Sequence, residues 1–300
     1  MTAPVTAYEL AARSFERADR WLHNPVDWVD THIDLGPAGD LTGYQRDALE
    51  QLAARHRLGL RSPHGAGKTM VAALAALWFA TTREAAGIDW KVITTASAWR
   101  QLTLYLWPEI HKWAGRLRWD KLGRGPFNRR TELFDLHLKG RHGLAAAVAS
   151  ADPARIEGAH ADSIMFIFDE AKTIPAGMWD AAEGALAGGH QRGLPEAFAL
   201  ALSTPGAPAG RFYDIHTRKP GLRDWHPMHV TLEQAIQAGR ISSTWAEQRA
   251  TQWGPESAIY TNRVLGEFHA GDEDVVIPLA WAEAAVERWL AWDAAGREDP

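Results

Sequence analysis

Residues 60–69 read LRSPHGAGKT, and a Gly-x-Gly-Lys-Thr run set between an apolar segment and a helix-forming one leaves a chain few folds to choose from. Backbone N–H groups can gather on a phosphate only where side chains are small. A lysine then adds charge for the β- and γ-phosphates, and a hydroxyl can reach Mg2+. Ser62, His64, Gly65, Ala66, Gly67, Lys68 and Thr69 supply this loop, with serine standing where the motif has its first glycine. Serine is small, and the exchange costs little if its backbone keeps a negative φ. Such a loop needs a strand leading in and a helix leading out. RLGLRS is expected as the strand, and TMVAALAALWFATT, apolar on nearly every face, as a buried helix.

Short apolar strands and longer helical stretches then alternate, which predicts an α/β chain with a parallel sheet. WKVITTA is a β-branched strand, and Ser97 is placed to cap the helix AWRQLTLYLWPEIHKWA. A hairpin is expected around TELFDLHLKG, while SIMFIFDEA and AFALALSTPG read as central strands. Beyond Trp225 the alternation gives way to tryptophan-rich helices, TWAEQRATQWG and PLAWAEAAVERWLAWDAAG. The expected organisation is an N-terminal helical lead-in over 1–40, a P-loop core over 41–224, and a small, mostly helical lid or linker subdomain over 225–300. The fifteen tryptophans sit mostly in apolar spacings, so core or interface packing accounts for them better than base stacking.

The run IMFIF ends in Asp169 and Glu170, the pattern of a Walker B strand. An aspartate at the tip of a buried strand beside the loop can hold Mg2+, directly or through the Thr69-bound shell. The next glutamate can orient and polarise an attacking water. Gln45, in LTGYQRDALEQLA, lies on a predicted helix where its amide, both donor and acceptor, could read the edge of adenine. Ser203 and Thr204 end another strand and are placed to sense a γ-phosphate; a turn before Pro205 explains them equally well.

Bulk properties exclude several classes. A formal net charge of -5 argues against a molecule coated in positive charge for nucleic acid. A locally basic strip remains, formed by Lys112, Arg116, Arg118, Lys121, Arg124, Arg129, Arg130, Lys139 and Arg141, although charge runs are usually solvated faces. Without cysteine there is no disulfide, thiolate nucleophile or Cys-ligated zinc. His137, His142, His160 and His190 lack compact ligand spacing, and Gly271–Asp274 reads as an exposed acidic loop. The longest apolar run, Met70–Ala80, is too short to span a bilayer, and the N-terminus has no basic region followed by an apolar core, so no membrane association is expected and the compartment is the cytoplasm.

These motifs together resemble the ATPase part of a phage terminase large subunit, the motor that drives DNA into a viral procapsid. YQRDALEQL is similar to that family's adenine-side glutamine motif, RSPHGAGKT to its variant phosphate loop, and RIEGAHADSIMFIFDEAKTIPAGMWDAAEGALA to its Walker B segment. LSTPGAPAGRFYDIH resembles its coupling segment, with STP where many relatives have an asparagine before the proline, and YTNRVLGEFHAGDEDVVIPLAWAEAA resembles the passage toward its nuclease domain. The resemblance implies a P-loop NTPase fold of the additional-strand, catalytic-glutamate (RecA-like) class, with a twisted, mainly parallel sheet flanked by helices. It implies ATP and Mg2+, double-stranded DNA as substrate, and a homo-oligomeric ring on a portal protein with a small terminase subunit, at the procapsid portal in the host cytoplasm. By position Lys68 and Thr69 would bind phosphate and metal, Asp169 the metal and Glu170 the water, with Ser203 and Thr204 coupling hydrolysis to movement. Arg155, in DPARIEGAH, is the candidate for an arginine reaching the neighbouring subunit, although an exposed arginine paired with a nearby acid fits as well. Full-length members continue into an RNase H-like nuclease whereas this sequence stops at Pro300, so no DNA cleavage is expected of it. Two other readings stay open. One is another P-loop, nucleic-acid-dependent ATPase such as a helicase, for which the residues after Trp225 are too few to build a second lobe. The other is a non-catalytic assembly module that binds ATP without turnover.

Overall fold

Strand β6 (Ser163–Asp169) is buried at every position, as a strand with helices on both faces must be. It lies in a computed structural model that describes residues 20–36, 39–149, 156, 159–191, 194–269 and 279–294. The other strands are β1 (Arg57–Arg61), β2 (Trp90–Ala96), β3 (Leu133–Phe134), β4 (His137–Lys139), β5 (Gly143–Ala149), β9 (Ala197–Ser203) and β10 (His226–His229). They form one eight-stranded sheet in the order β10-β1-β9-β6-β2-β5-β4-β3. The first six in that order are parallel, and β4 and β3 add an antiparallel hairpin at the far edge, where TELFDLHLKG led one to expect it. The short pair β7 (His190–Gln191) and β8 (Leu194–Pro195) forms a ladder of its own.

Side-chain alternation divides the core into two layers. Met165 and Ile167 of β6, with Phe198, Leu200 and Leu202 of β9, face a layer built from α1 (Pro25–His32), α2 (Gly43–Arg55), α3 (Lys68–Ala86) and α4 (Trp107–Ala114). Ile164, Phe166 and Phe168, with Ala199 and Ala201, face α5 (Ala176–Leu186) and α6 (Gly210–His216). Helix α3 lies buried along most of its length under the sheet and stops at Gly87, whose positive φ lets its N–H reach the Arg83 and Glu84 carbonyls. The same helix carries Arg83, wholly buried, which donates to Glu196 Oε2 at 2.9 Å and lies against the rings of Trp78, Phe79 and Phe198.

Several expectations are altered. Ser97 does not cap the helix after β2; Ala98 does, without a side-chain bond, and the Ser97 hydroxyl instead accepts from Thr173 Oγ1 at 2.7 Å. That helix is also not uniform. Trp99–Gln101 runs into a π-turn over Leu102–Leu106, where Trp107 N–H donates five residues back, directly before Pro108, which has no N–H to give. β10 falls in the segment expected to leave the sheet, yet it pairs with β1 as an edge strand. After it come α7 (Leu232–Gln237), α8 (Ser243–Trp253), a helical turn at Ala258–Tyr260 continuing into a π-turn at Thr261–Leu265, and α9 (Leu279–Ala294). Trp28, Trp78, Trp90, Trp107 and Trp179 are core residues, whereas Trp99, Trp289 and Trp292 are exposed.

Much of the basic strip serves the fold. Lys112 pairs with Glu109 and Arg124 with Glu132, and Arg116 and Arg118 donate to backbone carbonyls. Lys121, Arg129, Arg130 and Lys139 are exposed, with no side-chain partner among the described residues. No described helix is long and apolar enough to cross a membrane. Among the described residues, no group of three or more His, Cys, Asp or Glu is placed to hold a metal. Gly271–Asp274 lies outside the described residues.

Candidate functional site

The C-terminal ends of β1, β9, β6 and β2 lie level, with Arg61 opposite Ser203, Leu202 opposite Asp169, and Asp169 opposite Ala96. Ligand sites of open parallel sheets collect at such ends. Placing β9 between β1 and β6 sets Ser203 and Thr204 between the loop that follows β1 and the two carboxylates that end β6. The loop is fastened to this middle strand by Ser62 N–H, which donates to the Ser203 carbonyl at 3.3 Å.

Gly65 and Gly67 both adopt positive φ, which opens the loop backbone, and Gly67 is the N-cap of α3. Ser62 is not among the residues with positive φ, so the missing glycine carries no backbone strain. Its hydroxyl also has a partner of its own, because Lys68 Nζ donates to Ser62 Oγ at 3.0 Å, to Pro63 O at 3.0 Å and to Thr204 Oγ1 at 3.1 Å. Burial lowers the Lys68 pKa to about 8, with Glu170 and Asp169 pulling it back up. Thr69 follows in the first turn of α3, and Ala66 accepts at its carbonyl from the Tyr44 hydroxyl at 3.0 Å.

Asp169 is buried, and Gln101 Nε2 donates to its Oδ2 at 3.2 Å. Burial, and then the neighbouring Glu170, push its pKa up to about 6. The ionised form is therefore disfavoured in the folded chain. That penalty is complete above pH 6 and vanishes as the pH falls toward the ordinary carboxylate value. Asp169→Asn is expected to stabilise the protein by roughly 2–3 kcal/mol at pH 7.5, a gain that shrinks to nothing near pH 4. Thermal unfolding of both proteins across that range checks this, and an equal difference at both ends would refute the assignment. Glu170 departs from the strand at φ +49°, an uncommon conformation for a residue with a side chain. Ser203 Oγ donates to its Oε2 at 3.1 Å, and Lys172 Nζ lies 3.8 Å from the same oxygen.

Of the other sequence candidates, Gln45 lies against Gly67 of the loop and His64 is part of the loop. Gln45 is fully buried, with Oε1 accepting from Thr42 N–H in a capping box at the start of α2 and Nε2 directed at Met70 Sδ, 3.7 Å away. The acceptor half of its amide is thus already engaged. His64 is exposed and tied through its backbone N–H to Arg263 O at 2.9 Å. Arg61 is paired with Glu267 at 2.8 Å. Arg155 lies outside the described residues. Gln101, Lys172, Tyr44 and Arg240 border the site without having been singled out in the sequence, and only Lys172, two residues past Glu170, had a local cue. The segment that leads on from α8 also reaches the loop: a Cβ on Gly266 would meet Pro63 N at 2.7 Å.

No protein-family model matches the chain. The probable large terminase subunit of Enterobacteria phage P7 is 26% identical over 236 residues, covering 76% of this chain and 45% of that protein. The chain thus spans about half the length of the curated relative it matches. Among solved structures, the ATPase domain of the Thermus phage P74-26 large terminase superposes with a TM-score of 0.51 at 17% identity, over 71% of this chain and 88% of that one. The large terminase of bacteriophage HK97 gives 0.58 at 15% identity, over 84% and 55%. That of a thermophilic bacteriophage, solved in complex with ADP, gives 0.56 at 15%, over 77% and 54%. The chain is similar to phage large terminases, and its fold is the one that their ATPase portions adopt, an open and mostly parallel α/β sheet flanked by helices.

Proposed function

We propose that this chain hydrolyses ATP with Mg2+ and uses the hydrolysis to translocate double-stranded viral DNA into a procapsid. The observation that carries the proposal is the position of β9, which lets one residue pair, Ser203 and Thr204, touch both Glu170 and Lys68. In this reading Lys68 and the N–H groups of 62–69 bind the phosphates, and Thr69 and Asp169 hold Mg2+. Two oxygen ligands suffice, since Mg2+ ordinarily keeps waters and phosphate oxygens as its remaining ligands. When bound, the ion neutralises charge on the β- and γ-phosphate oxygens. Glu170, steadied by Ser203, orients the attacking water and accepts its proton. Ser203 and Thr204, in contact with both halves of the site, pass the change at the γ-phosphate to β9.

Partners follow from the same reading. They are duplex DNA, a ring of identical subunits, a portal protein and a small terminase subunit in the host cytoplasm, with Arg155 completing the site of the adjacent subunit. Lys121, Arg129, Arg130 and Lys139, exposed and without a side-chain partner among the described residues, offer cations for a phosphate backbone. Steady-state ATP hydrolysis at high protein concentration is expected to rise when linear duplex DNA is added. ATP binding without turnover, with or without DNA, would favour the assembly module instead, and absence of ATP binding would end both readings.

A further inference from the structure

Gln101 stands one residue before the π-turn at Leu102–Leu106 and reaches a carboxylate on another strand, donating from Nε2 to Asp169 Oδ2 at 3.2 Å. β2 brings it there. Ala96, the last residue of that strand, lies opposite Asp169, and the helical turn begins at Trp99, so the chain has little length in which to leave the end of β6. The turn is anchored in the core. Leu102 and Trp107 are fully buried, and Trp107 Nε1 donates to Thr94 Oγ1 of β2 at 3.0 Å. Between these two anchors the π-turn adds one residue, which rotates Gln101 by about 100° from the direction that an unbroken helix would give it. Single π-turns of this kind are frequent at functional sites.

A second tether runs beside the first. Thr173 Oγ1, which donates to Ser97 Oγ at 2.7 Å, lies 3.0 Å from Glu170 O. The chain after β2 is thus fastened to the chain after β6 on either side of Glu170, at Asp169 and at Thr173. An aspartate needs such a hold if its oxygens must face one way, because rotation about its χ2 is soft and has no sharp minima of its own. We infer that Gln101 is a positioning residue for the divalent cation: by holding Asp169 Oδ2 it fixes the rotation of the carboxylate that receives the ion. Groups that hydrogen-bond a metal's own ligands are typically worth about 10- to 100-fold in metal affinity or activity. The inference rests on the proposal that Asp169 holds Mg2+ beside a bound nucleotide.

Calorimetric titration with a non-hydrolysable ATP analogue, once with Mn2+ and once in EDTA, reads this role without turnover. The native chain is expected to bind the analogue more tightly with Mn2+, and the ratio of the two affinities measures what the cation contributes. Gln101→Met keeps an unbranched side chain of similar size and loses the donor. It is expected to cut that ratio about tenfold while the affinity in EDTA stays within about twofold. Hydrolysis is expected to split in the same way, with the Mg2+ concentration for half-maximal rate raised about tenfold and kcat at saturating Mg2+ within about threefold of native. A native ratio in Gln101→Met, with the loss confined to Gln101→Ala, would reduce Gln101 to packing and overturn the inference. An equal loss with and without Mn2+ would overturn it too. A native chain that gains nothing from Mn2+ would withdraw the cation from Asp169, and one that binds the analogue in neither buffer would remove the nucleotide reading itself.

Discussion

Glu170→Gln is expected to lower kcat for ATP hydrolysis by about 10²- to 10⁴-fold while ATP affinity stays within a few-fold. The amide keeps the size and the hydrogen bond to Ser203 Oγ, so what the substitution removes is the ability to accept a proton from water. Asp169 cannot substitute, because it ends the strand one residue earlier, is buried, and is engaged by Gln101 rather than by Ser203. Lys68, a phosphate-binding group, donates to Ser62, Pro63 and Thr204, and none of these three bonds involves Glu170. Steady-state kinetics beside equilibrium nucleotide binding reads the two quantities separately. Retention of more than a tenth of native turnover would remove Glu170 from the role of base, and a parallel loss of binding would mean that its carboxylate shapes the loop instead.

Glu196→Ala is expected to destabilise the fold by about 3–5 kcal/mol, a fall in Tm on the order of 10 °C. Arg83 is 0% exposed and Glu196 5%, and the pair is closed on every side. Arg83 Nε and NH2 donate to Glu196 Oε2, its NH1 donates to Leu22 O and Thr82 Oγ1, and Ser163 Oγ donates to the same carboxylate. Removing the carboxylate leaves a guanidinium in the core without its counter-charge, which the ring faces of Trp78, Phe79 and Phe198 offset only in part. Joint replacement as Arg83→Met with Glu196→Leu is expected to recover most of the loss, because neither charge then remains to be desolvated. Chemical denaturation of the three proteins decides it. A single-variant loss below about 1 kcal/mol would mean that water reaches the site.

What the sequence made legible follows from how local each signal is. LRSPHGAGKT and IMFIFDE could be read because a phosphate loop and a buried strand ending in acids are each complete within ten residues. Their adjacency could not, since the neighbour of a parallel strand is set by crossovers and long-range packing rather than by its own residues. β10 was missed for a related reason. HPMH has neither alternation nor β-branching, and it becomes a strand only because the edge of β1 is open to it. The π-turn had a cue in Pro108 that the amphipathic spacing of Leu102, Leu106 and Ile110 concealed. Gln101 and Arg240 had none, because a single polar residue on a helix or loop looks the same in sequence whether it meets solvent or a site 68 or 195 positions away.

The order of strands also sets a timetable. β1 emerges early from synthesis, yet its only sheet neighbours are β9 and β10, which begin at Ala197 and His226. β2 and β6 can pair as soon as both exist, and β5 can join them, so one half of the sheet is able to assemble while β1 still has no partner on either edge. At a synthesis rate of about 5–20 residues per second, that interval lasts from several seconds to about half a minute. Throughout it, Leu58 and Leu60 belong to an unpaired strand, with the glycine-rich loop attached to nothing that would hold it in shape. A nascent chain halted before Ala197 would thus carry every residue of the loop and both acids of β6 and still lack the strand that joins them.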